Sequence, residues 1–288
     1  MKNILVPTDF SLNTLNALNY AVHLFEEDEC TFYLLNAFQK NETFISNLFY
    51  PKQGKATYNQ IKNESKIGLA ALKDKIALKD DNTNHLFKVI SYDNTLSEAI
   101  KQTIEINDIS IIILGIQAET NEKNTLLGSN KENIMAEIKH CQILLVPPNY
   151  IFSKNIKKEF VYATDLQKPF DSKELESVIR IATNIKAIIR VLHILENGEL
   201  TSNQENNKRD LMNYLKGLEP AFHTLTNENV DTGIQSFIER RGSDILALFP
   251  ETQNLLNKIF SHKILDEVNN YQPQIPIFLI HDSVLVTE

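Results

Sequence analysis

The chain has 288 residues, of which 42% are hydrophobic and 23% charged, so it is long enough for two ordinary globular domains. The net charge of −8 comes without a basic cluster, and no apolar run approaches the roughly 20 residues of a membrane span. We therefore expect neither a nucleic-acid partner nor a membrane segment. Met1-Lys2 leads directly into a strand pattern without a signal-peptide core, and the two cysteines are far apart. These features predict a cytoplasmic protein.

The first half of the chain alternates short apolar runs with amphipathic patterns, which predicts alternating strands and helices. The predicted strands are 3–6, 31–37, 86–90, 109–114 and 143–146. Helices are predicted after Ser11, from about 57 to 78, after Thr95 and after Ser129. The run 109–114 is almost entirely isoleucine and leucine, which is typical of a strand buried on both faces of a parallel sheet.

The same pattern restarts after Pro147-Pro148. Residues 158–165, KEFVYATD, repeat residues 2–9, KNILVPTD, with lysine, threonine and aspartate in the same places. Further strands are predicted at 187–195, 222–226, 245–249 and 275–280, and helices near 175–185, 210–218, 234–239 and 255–268. Internal repetition of this kind indicates two copies of one fold, and the strand–helix alternation indicates parallel sheets covered by helices.

The loop after the fourth predicted strand has features of an anion site. Gly115 stands at the strand exit and Gly128 just before a predicted helix. Ser129 and Glu132 have the spacing of a capping box. A helix amino terminus has free N–H groups and a partial positive charge, so it can hold a phosphate. An ordinary strand exit and an ordinary glycine before a helix would give the same pattern.

The spacing of Gly115, Ala118, Gly128 and Ser129 resembles the G-x2-G-x9-G-S/T motif of ATP-binding members of the universal stress protein family, with alanine in place of the second glycine. The first predicted strand and its turn, residues 4–11, resemble the family's amino terminus. The resemblance covers nearly the whole chain as two copies, of which the second is weaker.

The resemblance implies an α/β fold with two doubly wound, five-stranded parallel-sheet domains in tandem, each with strand order 3-2-1-4-5. We expect these domains at residues 1–148 and 156–283. Ligands in such sheets bind beyond the carboxyl ends of the strands where the order reverses, here between strands one and four. The resemblance also implies that the final strands pair, so that the two copies form an internal pseudo-dimer, and those strands would otherwise be exposed apolar edges.

The resemblance implies a nucleotide site in the first copy. Its nucleoside end would be formed by Pro7, Thr8, Asp9 and Ala37. Its phosphate end would be formed by Leu114, Gly115, Ala118, Gly128, Ser129 and Asn130. Asp9 would accept hydrogen bonds from ribose or adenine, and Ser129 would donate to phosphate. Asp9 could equally be an ordinary residue of a helix-entry turn.

Several residues weaken the expected site. Ala118 has a steric cost wherever a glycine with positive φ is required, and Glu119 and Glu122 bring negative charge to the phosphate loop. We expect weak binding of ATP or ADP, binding of another nucleotide, or no binding, and a magnesium ion could accompany the nucleotide. In the second copy Phe249-Pro250 and Phe260-Ser261 replace the glycines, so we expect a structural copy without the motif.

The resemblance implies a stress-response regulatory protein, and we expect it not to be an enzyme. The sequence has no G-x-S-x-G, no H-E-x-x-H and no Walker lysine after the glycines, and its histidines form no metal-ligand pattern. Two alternatives are a nucleotide-free interaction scaffold and a slow nucleotide hydrolase. The long connection 39–54 could cover the crevice or contact another chain. The protein partner is not predicted.

Overall fold

The structure, a computed structural model, describes residues 1–39, 57–116, 138, 141–148, 150–153, 158–170, 172–195, 199–226, 230–248 and 274–280. The chain divides into two compact units, Met1–Ile151 and Phe152–Glu288. None of the described helices is long and apolar enough to cross a membrane.

The described part of the first unit contains five strands and three helices. The strands are β1 (Lys2–Pro7), β2 (Cys30–Phe38), β3 (His85–Asp93), β4 (Ile111–Gly115) and β5 (Gln142–Val146). The helices are α1 (Leu12–Leu24), α2 (Tyr58–Ala77) and α3 (Leu96–Asn107). The strands form a parallel sheet in the order β3-β2-β1-β4-β5. This order confirms the predicted doubly wound α/β fold.

Three hydroxyl side chains begin the helices of the first unit. Ser11, Thr57 and Thr95 each accept a hydrogen bond from a backbone N–H in the first helical turn. Thr57 also forms a full capping box with Gln60. The N–H groups at a helix start have no partner within the helix, so these caps fix where each helix begins.

Burial follows the position of each strand in the sheet. All nine residues of β2 are buried because β2 is covered on both faces. Strand β3, at the edge of the sheet, has only Phe87 fully buried. Helix α2 buries Ile61, Leu69, Leu72 and Ile76, which is the apolar face that the periodicity predicts.

The second unit repeats this architecture. Its strands are β6 (Glu159–Ala163), β7 (Ile188–Leu195), β8 (Ala221–Thr226), β9 (Ile245–Leu248) and β10 (Ile277–Leu279). Its helices are α4 (Ser172–Asn184), α5 (Ser202–Tyr214) and α6 (Val230–Arg241), and a 3₁₀ turn covers Lys216–Leu218. Pairing is parallel in the order β8-β7-β6-β9-β10, which is again 3-2-1-4-5 within the unit.

Two predicted helices of the second unit have different bounds in the structure. The helix predicted at 234–239 is longer, since α6 covers Val230–Arg241. The other is predicted at 210–218, whereas α5 begins at Ser202 and ends at Tyr214. A capping box between Thr201 and Gln204 sets the start, and the first turns are so polar that apolar periodicity does not reveal them. The predicted helices after Ser129 and at 255–268 lie outside the described residues.

Candidate functional site

The topology of the first unit predicts a crevice between β1 and β4, where the strand order reverses. Strand β1 pairs with β2 over six residues but with β4 over only two, Ile4 with Ile111 and Leu5 with Ile112. Both strands continue beyond these pairs toward their carboxyl ends, so β1 and β4 separate there. This is the place where open α/β sheets bind ligands.

The chain leaves β1 through a tight turn at Thr8-Asp9-Phe10. The hydroxyl of Thr8 accepts a hydrogen bond from the Phe10 N–H at 2.9 Å. Phe10 has φ +64°, a left-handed conformation that costs a non-glycine residue about 1–2 kcal/mol. Such a conformation persists only where surrounding contacts hold it, and residues of this kind are often found at functional sites.

The carboxylate of Asp9 is partly used by the fold. Its Oδ1 accepts hydrogen bonds from the Ser11 N–H at 3.0 Å and from the Thr14 hydroxyl at 3.1 Å. Asp9 is therefore the helix-entry turn residue that the simpler interpretation predicts. Its Oδ2 makes no hydrogen bond with any described residue, and the side chain is only half-buried. One carboxylate oxygen is thus left to accept from a ligand.

Gly115, at the end of β4, packs against the start of α1. A β-carbon at position 115 would lie 2.6 Å from the backbone oxygen of Asn13 and 3.2 Å from the backbone nitrogen of Thr14. Since the hydroxyl of Thr14 also donates to Asp9, the first turn of α1 contacts both the turn after β1 and the end of β4. Packing against the start of α1 is by itself enough to require a glycine at this position.

The remaining predicted site residues divide into two groups. Pro7 and Leu114 are buried near the carboxyl ends of β1 and β4, Ala37 is buried near the end of β2, and Thr8 is buried in the turn. Residues outside the described part of the chain are Ala118, Glu119, Glu122, Gly128, Ser129, Asn130 and most of the 39–54 connection. The structure therefore describes the predicted nucleoside end and only the first part of the phosphate end.

The second unit builds the same turn with different residues. Thr164 accepts from the Leu166 N–H at 3.1 Å, and Asp165 Oδ1 accepts from the Gln167 N–H at 2.9 Å. Leu166 has φ +58°, which matches the left-handed residue of the first unit. The sequence repeat is therefore also a repeat of hydrogen-bond geometry.

The two turns are held against their neighbouring helices in different ways. In the first unit the ring of Phe10 lies on Gly68 of α2, where a β-carbon would stand 2.6 Å from Cζ. In the second unit Gln204 and Asn207 of α5 donate to the backbone oxygens of the turn, both at 2.9 Å. Side-chain amides thus close the second turn. The replaced glycine motif of that unit, at 249–250 and 260–261, lies outside the described residues.

Sequence reasoning missed two residues of the first site. Thr14 joins Asp9 to the start of α1, and Asn36 donates to the backbone oxygen of Thr8 at 2.7 Å. Both side chains are buried. The only signal for Asn36 is its polarity within the run Phe32–Phe38 of β2, and its partner is a residue 28 positions away in the chain.

The described residues offer little reactive chemistry. None of them form a group of three or more histidine, cysteine or acidic side chains that could hold a metal ion. Burial, with a smaller contribution from Asp108, raises the pKa of Cys141 to about 12. Its thiol donates to the backbone oxygen of Ile109. A thiol with so high a pKa is a poor nucleophile at neutral pH.

The strand order places the chain among the doubly wound α/β proteins. Residues 1–147 match the model of the universal stress protein family, and the chain belongs to that family. No curated protein matches the sequence.

Several solved structures are similar to this fold. A universal stress protein from Archaeoglobus fulgidus DSM 4304 is 17% identical, with a TM-score of 0.65, over 97% of this chain and 96% of that one. A protein of unknown function from Pseudomonas aeruginosa PAO1 is 10% identical, with a TM-score of 0.61, over 98% and 93%. The cytoplasmic domain of a prokaryotic cation chloride cotransporter is 13% identical, with a TM-score of 0.51, over 98% and 96%. At these identities the likeness shows the fold alone.

Proposed function

We propose that this chain is a cytoplasmic stress-response regulatory protein whose first unit binds an adenine nucleotide, ATP or ADP. The nucleotide would occupy the crevice between β1 and β4. The observation that carries the proposal is the separation of these strands beside Asp9, which keeps one carboxylate oxygen available. A carboxylate oxygen suits the hydroxyl donors of a ribose or the amine of adenine.

The proposed role is binding and not catalysis. The described residues contain no cluster of metal ligands, and magnesium would arrive with the nucleotide. In the second unit, side chains of α5 satisfy the backbone oxygens of the turn, which supports a structural role for that unit. Pairing of the two copies through their final strands, and any protein partner, stay predictions.

A nucleotide-free scaffold is the second candidate, and one observation favours it. Gly115 is required by its contact with Asn13, and Asp9 already has two donors within its own turn. The fold would therefore keep both residues without a ligand. A slow nucleotide hydrolase is a weaker third candidate.

Calorimetry of the full chain with ATP and ADP, with and without magnesium, tests the proposal. The informative variant is Asp9→Asn. The amide oxygen of asparagine can keep the hydrogen bonds from Ser11 and Thr14, while its NH₂ group replaces the free acceptor with a donor. We expect the variant to fold and to bind ATP more weakly than the wild type. Absence of ATP and ADP binding by the wild type at millimolar nucleotide would favour the scaffold.

A further inference from the structure

We propose that Asn36 is a positioning residue of the nucleotide site, which fixes the turn that presents Asp9. The inference rests on the proposed nucleotide site. Its basis is one hydrogen bond that the two units make with different side chains. Asn36 Nδ2 donates to the backbone oxygen of Thr8 at 2.7 Å, and His193 Nδ1 bonds the backbone oxygen of Thr164 at 2.9 Å. Since a carbonyl only accepts, His193 Nδ1 is the donor.

Asn36 and His193 occupy the same place in their sheets. Each follows the last residue of the second strand that pairs with the first strand, which is Leu35 in β2 and Leu192 in β7. Asn36 is fully buried and His193 is 2% exposed. A buried carbonyl left without a donor costs about 1–3 kcal/mol. The two units place chemically different donors at this position. We infer that the requirement here is a hydrogen-bond donor to the backbone carbonyl of the turn.

Each of these side chains also buries a second polar atom that has no partner in the described part of the chain, which costs free energy. Asn36 Oδ1 and His193 Nε2 are buried and have no hydrogen-bond partner among the described residues. An apolar residue would avoid that cost, as the neighbouring positions of β2 do. The polar side chain is therefore retained for its one hydrogen bond and not for general packing.

The carbonyl of Thr8 belongs to the peptide group that joins Thr8 to Asp9. The hydrogen bond from Asn36 fixes the direction of this carbonyl and therefore the plane of the peptide group. The plane of the peptide group in turn sets the orientation of Asp9. Phe10, which follows Asp9, is in the left-handed region at φ +64°, a backbone conformation that is unfavourable for phenylalanine. Without the donor from Asn36, we expect the turn to relax and the free oxygen of Asp9 to leave the crevice.

Three variants of the full chain test this role. Asn36→Ala removes the donor, and Asn36→His supplies the donor that the second unit uses. Thr103→Val removes a buried hydrogen bond to Ala99 in α3, so it controls for lost stability elsewhere in the same unit. Should Asn36→Ala fail to fold, Asn36→Leu replaces it, because leucine is close to asparagine in size and has no donor.

Two quantities are measured for each variant. One is the ATP dissociation constant by calorimetry. The other is hydrogen exchange at the amides of Phe10 and Ser11, which bond within the turn. For Asn36→Ala we expect about tenfold weaker ATP binding and about tenfold faster exchange, relative to Thr103→Val. Asn36→His should recover both.

Each other outcome decides a separate point. Unchanged exchange in Asn36→Ala, or changes no larger than those of Thr103→Val, would overturn the positioning role. So would a failure of Asn36→His to recover either quantity that Asn36→Ala has lost. If the wild type binds no ATP, the nucleotide proposal fails, and the exchange measurement alone still decides whether Asn36 fixes the turn.

Discussion

Gly115 and Asn13 are in such close contact that a β-carbon at position 115 would lie 2.6 Å from the Asn13 oxygen. This oxygen belongs to the backbone of α1, so the clash cannot be relieved by a change of side-chain rotamer. A glycine that sequence comparison assigns to a phosphate loop is thus first a packing requirement between β4 and α1. The two roles can be separated by measurement.

The first prediction concerns this contact. Gly115→Ala should destabilise the first unit by about 1–3 kcal/mol, because α1 must move to accommodate the methyl group. Urea unfolding of the ligand-free protein measures the change. Gly217→Ala is the matched control, since a β-carbon there meets nothing within 4 Å and that glycine has no positive φ. The control should be neutral or up to about 1 kcal/mol stabilising. Equal stability of both variants would contradict the packing role.

A second prediction concerns the contact between Phe10 and Gly68. Gly68→Ala should destabilise the first unit by about 1–3 kcal/mol, because the ring of Phe10 occupies the space of the new methyl group. In a Phe10→Gly background that clash is gone, so the same substitution should cost little. A double-mutant cycle by urea unfolding measures the coupling. Additive effects of the two substitutions would show that the ring does not hold the turn against α2.

A third prediction uses the charged cluster around Glu159 in the second unit. The side chains of Arg241, Arg190 and Ser243 donate to its two carboxylate oxygens at 2.6–3.0 Å. Burial alone would raise the pKa of Glu159, but these hydrogen bonds outweigh it and lower the pKa from 4.5 to about 2. The carboxylate therefore stabilises the fold fully above pH 4.5, and this contribution is lost as the pH falls toward 2.

The variant Glu159→Gln should lose about 1–3 kcal/mol of stability at pH 7. The difference from wild type should shrink as the pH falls from 4.5 toward 2. Urea unfolding at several pH values measures it. Glu205→Gln removes an exposed carboxylate 4.0 Å from Lys208, so it should change stability by less than about 0.5 kcal/mol. A difference for Glu159→Gln that stays constant down to pH 2 would contradict the assignment.

The sequence carried most of the information on the fold. Apolar periodicity and helix caps are local signals, and they predict both the element order and the inward face of α2. The end of β3 was missed because Ser91 and Asp93 are polar, although they pair with Asn36 and Phe38 of β2. Exposed edge strands lack the apolar pattern that marks a buried strand, so their ends are not visible in sequence.

The site was less predictable than the fold. Asp9 and Gly115 were found because they belong to short motifs at strand ends. The hydrogen bonds that Thr14 and Asn36 donate to this turn form only in the folded protein. A single polar residue in a helix or strand does not indicate in sequence which distant residue it will bond. The repeated turn at Thr164 offers a second, independent view of the same geometry.

The last prediction concerns nucleotide affinity. We expect ATP to bind the wild type with micromolar or weaker affinity, about −8 kcal/mol or less favourable. Ala118→Gly restores the glycine of the family motif and should strengthen binding, because it removes a steric cost where positive φ is needed. Gly128→Val should abolish binding, since a branched side chain would obstruct the close approach of phosphate to the backbone at the predicted helix start. Calorimetry with and without magnesium measures all three proteins. If neither the wild type nor Ala118→Gly gives binding heat at high ATP concentration, the nucleotide site is excluded and the scaffold function is favoured.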